Sequence, residues 1–368
     1  MEKENWRKKI VLLVPNLGGG GAEKVMLTLL KTIKKETADV TLLMVHKSGE
    51  LVHQIPAEAN TVDLGIKKLR HAPRKLIQEL NRIRPDVILS TLTAMNFVLL
   101  VIKPFLAGKP KIVVRETNPP SPKYKDNLKM KLLYQLLYRR SDQIIAISEG
   151  VAEDLIQYAR LANHKEKISV IYNPIHLSFI QQSMDQPIMH SWLNQKHTPV
   201  LLAIGRLVEQ KDFHTLLRAF HQVRQQLDSK LIILGEGEQK EQLQALTKEL
   251  GLTEYVLFDG FVDNPYPYLK RADLFVLSSK WEGFGLVLAE ALATNTPIVS
   301  TKCRGAPAEI LEEGRYGRLV EPGDDQAMAE AILDQLQEPL QENLEGRARQ
   351  FDVGAITEKY VHTLVQEI

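Results

Sequence analysis

Short apolar runs that alternate with helical stretches, in two successive rounds, predict an α/β protein of two domains, each built on a parallel sheet. Three observations carry this. Runs such as Ile10–Pro15 (IVLLVP) and Val200–Ile204 (VLLAI) have the continuous apolar character of buried strands, and each leads through a glycine-bearing turn into a helix. The alternation breaks once, at the irregular polar stretch 176–198, and then restarts. The 368 residues are also long for one core, since about 150 residues make a typical domain. The expected domains are 1–175 and 176–352, with helical periodicity again at the end, over 353–368.

Composition is that of a globular protein, 44% hydrophobic and 25% charged, which sets aside disordered and fibrous classes. A single cysteine, Cys303, excludes an intramolecular disulfide and fits a reducing compartment; a buried strand residue is the favoured reading over a reactive thiol. The charged first ten residues, MEKENWRKKI, are not the apolar core of an export signal. The apolar patch Phe97–Ile102 ends at Lys103-Pro104, far short of the roughly 20 residues of a membrane-spanning helix. A cytoplasmic protein is expected, free or peripheral at the inner face of the membrane. The net charge of +2 conceals an asymmetry. Residues 1–180 hold 29 basic and 17 acidic side chains, the remainder 18 and 28, and residues 61–140 alone hold 17 and 5. Such a basic region points to a localised anionic partner.

In chain order, the first strand is followed by Gly18-Gly19-Gly20-Gly21-Ala22-Glu23 and a helix over Val25–Ile33. Glycines at a strand-to-helix turn let backbone N–H groups approach a phosphate or sugar, although the run is also compatible with a plain flexible connection. It closes with no Gly-Lys-Ser/Thr and is not the dinucleotide Gly-x-Gly-x-x-Gly. A strand over Val40–Val45, a helix over Lys75–Ile83 and strands over Asp86–Ser90 and Lys111–Arg115 follow. Ligands of parallel sheets gather at the carboxyl ends of strands, which makes Arg115, Glu116 and Asn118 candidates; the alternative is that Glu116 pairs with Arg115 or a nearby lysine. Residues 123–140 form a basic amphipathic helix, with six cations and one acid around Leu132, Leu133, Leu136 and Leu137. Those leucines face either the core or a lipid headgroup boundary, and the regional charge favours an anionic membrane surface over 61–140. No recognition helix, zinc motif or aromatic platform accompanies the charge, so nucleic acid is not expected. A strand over Gln143–Ile147 leads to Ser148, the expected cap of a helix over Val151–Arg160, and a strand over Ile168–Tyr172 ends at Asn173-Pro174.

The second round opens with Val200–Ile204 and Gly205-Arg206-Leu207-Val208-Glu209-Gln210-Lys211. Arg206 and Lys211, five residues apart at a strand end, can bracket a diphosphate, one as a fork and one as a compact charge. A helix to Gln226, a strand over Lys230–Leu234, a helix to Leu250 and a strand over Val256–Phe258 lead to Gly260-Phe261-Val262. The run Ala272–Leu277 is the next buried strand and ends at Ser278-Ser279. The loop Glu282-Gly283-Phe284-Gly285 opens the helix that begins at Leu286, and Glu290 lies among apolar neighbours, where a carboxylate is costly without a partner. Taken alone, the two glutamates read as a loop residue and a packed ion-pair partner. A strand at Pro297–Ser300, a short strand and turn over 317–324 and a helix over Gln326–Leu336 complete the round.

The order strand, Ser-Ser-x-x-Glu-Gly-Phe-Gly-Leu, helix with a second glutamate after seven intervening residues, then Pro-Ile-Val-Ser, closely resembles the signature of retaining glycosyltransferases of family 4. The resemblance spans essentially the whole chain and concentrates in residues 18–23, 205–211 and 278–311. It implies the GT-B architecture, two Rossmann-like domains with parallel sheets facing across a cleft. The first would bind the acceptor, with the helix 353–368 packing back on it, and the second the nucleotide-sugar donor. By the same resemblance Glu282 contacts hydroxyls of the donor sugar, Gly283, Phe284, Gly285 and Leu286 contact sugar and phosphate, and Glu290 holds the ribose. Gly205 precedes the pair Arg206 and Lys211, which neutralise the leaving nucleoside diphosphate. Phe261 and Val262 lie by the base, and Gly20 and Gly21 stand at the mouth of the phosphate site. Members of the family often place a histidine near the donor sugar where this chain has Arg115-Glu116-Thr117-Asn118. The implied activity is metal-independent, retaining transfer of a hexosyl group, commonly from a uridine diphosphate sugar, to a saccharide or lipid-linked acceptor. No Asp-x-Asp occurs, and Asp324-Asp325 falls outside the motifs. No cofactor beyond the nucleotide-sugar co-substrate is expected. A nucleotide-sugar epimerase and a non-catalytic sugar-nucleotide binding protein are the alternatives on the same architecture.

Overall fold

The computed structural model describes residues 7–18, 20–340 and 342–365. Gly19 of the glycine run, most of the charged amino-terminal segment and the last three residues of the helix expected over 353–368 lie outside the described residues. The chain divides into two compact units. One runs to Pro174 and takes in the segment from Val353; the other is Ile175–Asp352.

The first unit is built on seven parallel strands: β1 (Lys8–Val14), β2 (Ala38–Met44), β3 (Asn60–Asp63), β4 (Val87–Thr91), β5 (Lys111–Glu116), β6 (Gln143–Ala146) and β7 (Ile168–Val170), in the order β3-β2-β1-β4-β5-β6-β7. Strand order reverses between β1 and β4, where Ile10 pairs with Val87, so the turns leaving these two strands diverge and open a crevice at their carboxyl ends. Successive residues of β1 serve opposite faces of the sheet. Val11 and Leu13 join a core with Ile88, Ile112, Tyr134 and Tyr138. Ile10, Leu12 and Val14 join another with Val25, Leu29, Ile356, Tyr360 and Leu364. The last three belong to the helix Val353–Val365, which therefore completes the core of this unit.

The second unit carries six parallel strands: β8 (Val200–Ile204), β9 (Lys230–Leu234), β10 (Val256–Gly260), β11 (Leu274–Leu277), β12 (Ile298–Thr301) and β13 (Arg318–Val320), in the order β10-β9-β8-β11-β12-β13. Its reversal lies between β8 and β11, which pair through Leu201–Leu274 and Leu202–Phe275.

Several elements differ from expectation. The stretch 176–198 is not irregular throughout, because Leu177–Ser183 is a helix that buries Leu177, Ile180 and Ser183 along one side. The basic helix is shorter than 123–140: it spans Leu128–Leu137, starts where the Asn127 side chain accepts from the Met130 N–H at 3.1 Å, and is preceded by a separate turn of helix, Pro120–Lys123. Its leucines divide. Leu137 is buried and Leu133 packs on the core, whereas Leu128, Leu132 and Leu136, four residues apart, are 70%, 48% and 65% exposed. Ser148 caps its helix as expected, accepting from the Val151 N–H at 3.0 Å.

Candidate functional site

In the second unit, the turns leaving β8 and β11 meet because these strands are neighbours at the reversal of strand order. After β8 the chain passes Gly205 and Arg206, makes a single turn at Glu209–Lys211 and enters the helix Phe213–Arg224 through Asp212, whose φ of 47° is left-handed. After β11 it passes Ser278 and Ser279 to Glu282. Cross-links hold the two turns: Ser278 Oγ donates to the Lys211 carbonyl at 2.8 Å, the Lys280 N–H to the Gln210 carbonyl at 2.8 Å, and the Gln210 amide to the Trp281 carbonyl at 2.9 Å. These bonds bring Lys211 Nζ to 2.5 Å from Glu282 Oε1, which also accepts from Ser279 Oγ at 2.6 Å. The side chains of Lys211 and Glu282 are only 16% and 6% exposed, so the pair is largely desolvated and its members hold one another in place.

The Glu282 loop rests on the turn after β12. Its N–H donates to the Arg304 carbonyl at 2.9 Å, and Thr301 Oγ1 donates to the Ser279 carbonyl at 2.7 Å. Gly305, at φ 124°, makes this approach possible, because a Cβ there would lie 1.8 Å from the Glu282 carbonyl oxygen. Cys303 sits in the same turn rather than in a strand; it is buried, and burial first, then the Glu282 carboxylate, pushes its thiol up to about 12.

Arg206 is exposed beside this pair and, among the described residues, forms no ion pair. Gly205 lies under the Lys211 side chain, whose Cε would be 3.2 Å from a Cβ at that position. Gly283 and Phe284 are buried, and Phe284 packs edge-on against Phe351 with ring centroids 5.5 Å apart. Phe284 therefore anchors the loop through its side chain. Gly285 precedes the helix Leu286–Ala293 with φ 80°, and Leu286 is half-buried. Glu290, also half-buried, accepts from the Tyr266 hydroxyl at 3.4 Å. Burial first, and the Glu290 carboxylate next, raise the Tyr266 hydroxyl well above the ordinary phenol range. Phe261 is 69% exposed at the end of β10, with Val262 half-buried after it. Ser279, Tyr266, Thr301 and Gly305 have no place in the sequence-based candidate set. The serine doublet at the end of an apolar run was the visible signal for the first; nothing local marks the others.

In the first unit Gly20 is exposed and stands immediately before the helix Gly21–Thr32, while Gly21 is half-buried. The Glu23 side chain folds back toward this helix start, its Oε2 lying 2.7 Å from where a Gly20 Cβ would be. Arg115 and Glu116, adjacent on β5, point to opposite faces of the sheet, and both are buried. Arg115 donates from Nε to the Tyr360 hydroxyl at 2.8 Å, from Nη1 to Thr91 Oγ1 at 3.1 Å, and from Nη2 to Asn173 Oδ1. Glu116 accepts from the Tyr138 hydroxyl, from the Tyr134 hydroxyl at 3.2 Å and from Thr93 Oγ1 at 3.3 Å. Burial holds the Glu116 carboxyl above its ordinary range, against the lowering effect of the tyrosine bonds. The alternative of an ion pair between Glu116 and Arg115 or a lysine is replaced by hydroxyl donors, and both side chains are committed to the interior. Asn118 is half-buried, within 3.4 Å of Thr117 Oγ1.

Two family models match the chain: Glycosyltransferase Family 4 over residues 19–179, and Glycosyl transferases group 1 over residues 185–351. The N-acetylgalactosamine-N,N'-diacetylbacillosaminyl-diphospho-undecaprenol 4-alpha-N-acetylgalactosaminyltransferase of Campylobacter jejuni is 32% identical over 364 residues, covering 94% of this chain and 96% of that protein. The lipopolysaccharide core biosynthesis glycosyltransferase LpsE of Rhizobium meliloti is 32% identical over 243 residues, or 62% of this chain and 66% of that one. Among solved structures, Anabaena HepE in complex with UDP and glucose superposes with a TM-score of 0.82 at 23% identity, covering 98% of this chain and 100% of that one. That likeness establishes the GT-B fold.

Proposed function

We propose, because the chain belongs to the group 1 glycosyltransferases of family 4 and is a glycosyltransferase, that it moves a hexosyl group from a nucleotide-diphosphate sugar to a lipid-linked or cell-envelope saccharide with retention of configuration. The observation that carries this reading is the Lys211–Glu282–Ser279 cluster at the strand reversal of the second unit, with Arg206 exposed beside it. Arg206 and Lys211 meet the negative charge that develops on the leaving diphosphate, which is electrostatic preorganisation requiring no metal ion. Glu282, oriented by Lys211 and Ser279, accepts hydrogen bonds from sugar hydroxyls. Glu290 takes the ribose, aligned by Tyr266, and the backbone of Gly283, Gly285 and Leu286 faces sugar and phosphate. Phe261 and Val262 border the base. In same-face transfer the leaving phosphate oxygen takes the proton of the acceptor hydroxyl as the new glycosidic bond forms, so no side-chain base is required.

A uridine diphosphate donor is supported by the HepE complexes with UDP and with UDP-glucose, and a lipid-linked acceptor by the diphospho-undecaprenol in the name of the Campylobacter relative. The Leu128, Leu132 and Leu136 stripe, flanked by Lys129 and Lys131, supports docking on an anionic membrane at the cytoplasmic face. Among the described residues no helix is long and apolar enough to cross a membrane. Co-sedimentation with phosphatidylglycerol vesicles is expected for the native chain and lost in Leu132→Asp/Leu136→Asp; equal binding of both forms overturns the docking face.

The reaction is tested first by a thermal-shift panel of nucleotides and nucleotide sugars. A true donor raises the melting temperature of the native chain, and Arg206→Ala and Glu290→Ala each abolish that rise. An intact fold that responds to no nucleotide removes the donor site.

A further inference from the structure

A second concavity lies in the first unit at the opposite end of its sheet. Parallel strands place all their amino ends on one edge, and four neighbours, β1, β4, β5 and β6, begin here with Lys8, Val87, Lys111 and Gln143. Strands of this length set that edge about 20 Å from the glycine-bearing turn. The concavity measures about 940 Å³. Among the described residues, Lys8, Lys103, Lys109, Lys111 and Arg140 line it, against two carboxylates, Asp86 and Asp142.

Both acids are already engaged with the protein. Asp86 accepts from the Lys9 N–H at 2.7 Å, and Asp142 accepts from the Ile112 N–H at 2.7 Å and from Lys103 Nζ at 2.7 Å. Lys111 Nζ donates to the Thr363 carbonyl at 2.9 Å, and burial together with the neighbouring Lys8 pushes its ammonium below the ordinary lysine range. The edge thus holds cations close enough to repel one another. The turn before β5 aims a further one: Gly108 and Lys109 take φ of 78° and 49°, and Lys109 adopts this left-handed conformation directly before Pro110, a place that normally favours extended backbone.

We propose that this concavity is a second anion-binding site, which takes a phosphomonoester or diphosphate group carried by a larger molecule. Five cations against two carboxylates match a divalent or trivalent anion. The volume exceeds that of a bare phosphate, and Val87, Leu106, Pro104 and Pro110 supply an apolar wall for whatever the phosphate is attached to. The site is independent of the donor-binding reading, since it lies in the other unit and involves none of its residues.

Lysine acetylation of the full chain, quantified residue by residue by mass spectrometry, tests it with three probes: inorganic pyrophosphate, phosphatidylglycerol vesicles and phosphatidylcholine vesicles. At about ten times the dissociation constant, acetylation of Lys103 and Lys109 should slow about tenfold, while exposed Lys248 of the second unit is unchanged. In Lys109→Glu/Arg140→Glu, whose substitutions are both exposed, the protection of Lys103 should disappear. Protection by pyrophosphate identifies a soluble phosphate as a sufficient ligand; protection by phosphatidylglycerol vesicles alone identifies a lipid headgroup. Protection of none of the lining lysines by any probe, protection confined to Lys129 and Lys131, or protection that survives in the double variant overturns the site. Donor binding is read separately, by the thermal-shift panel of nucleotide sugars, so failure here and failure of the donor site are distinguished.

Discussion

Glu282 is held from three directions, by Lys211 and Ser279 at its carboxylate and by Arg304 at its N–H, and this over-determination makes its position sensitive to a residue that touches no substrate. Gly305 is that residue. Any side chain there collides with the Glu282 carbonyl, and the φ of 124° is itself unfavourable for other residues. In Gly305→Ala the loop shifts by the order of an ångström, and misplacement on that scale lowers kcat about a hundredfold. Gly323→Ala is the control: its φ of 83° imposes comparable backbone strain, but no atom lies within 4 Å of the added Cβ, so a modest loss of stability is expected with kcat unchanged. Steady-state kinetics and thermal melts of both variants decide the matter, and equal kcat in the two would show that the loop position does not govern turnover.

Strand β5 shows how an element can carry site-like residues for structural reasons. Its carboxyl end is where ligands of a parallel sheet gather, and Arg115 and Glu116 were attractive there on that ground. Their partners, however, come from residues 18 to 245 positions away, Tyr134, Tyr138, Asn173 and Tyr360, which no local pattern announces. The Glu116 carboxyl is raised by burial, so the native state retains its proton where the unfolded chain, with a value near 4.5, has lost it. The native state then binds more protons, and stability falls as pH rises from about 4.5 toward the raised value, by up to about 1.4 kcal/mol per pH unit. Glu116→Gln keeps the shape and removes that slope, so denaturant melts of the two proteins should diverge with rising pH and the variant should gain on the native chain; parallel curves would refute the buried-acid account. Other elements were legible in proportion to burial. β1 and β8 are continuous apolar runs because both faces of a parallel sheet are covered. β3, Asn-Thr-Val-Asp with Val62 alone partly buried, carries no such run, and Thr93–Ile102 is apolar at most positions with no clear polar face, so neither periodicity marks it as a helix. The residues proposed for the donor site could be picked out because their turns are local, whereas Tyr266 and Gly305 matter only through tertiary approach.

At the scale of the whole molecule, the chain leaves the first unit after Pro174 and re-enters it at Val353, and the returning helix is integral to that unit. Ile356, Tyr360 and Leu364 are fully buried in its core, Thr357 Oγ1 meets Thr32 Oγ1 at 2.9 Å, and Tyr360 accepts from the otherwise buried Arg115 guanidinium. At about 2 kcal/mol for each buried apolar side chain, the three contribute roughly 6 kcal/mol, comparable with the entire net stability of a domain. Arg115 adds to the loss when the helix is removed, since a buried cation is left with one donor group unpaired. The second unit has a core of its own, with buried residues from Ile175 to Phe351. Truncation after Asp352 is therefore expected to unfold the first unit while sparing the second. Limited proteolysis should convert the truncated chain to a resistant fragment that begins near Ile175, and the fragment 175–352 expressed alone should melt cooperatively and retain the thermal shift with a nucleoside diphosphate. A truncated chain that resists proteolysis throughout would mean that the returning helix is a peripheral addition, and that β1 through β7 are covered well enough without it.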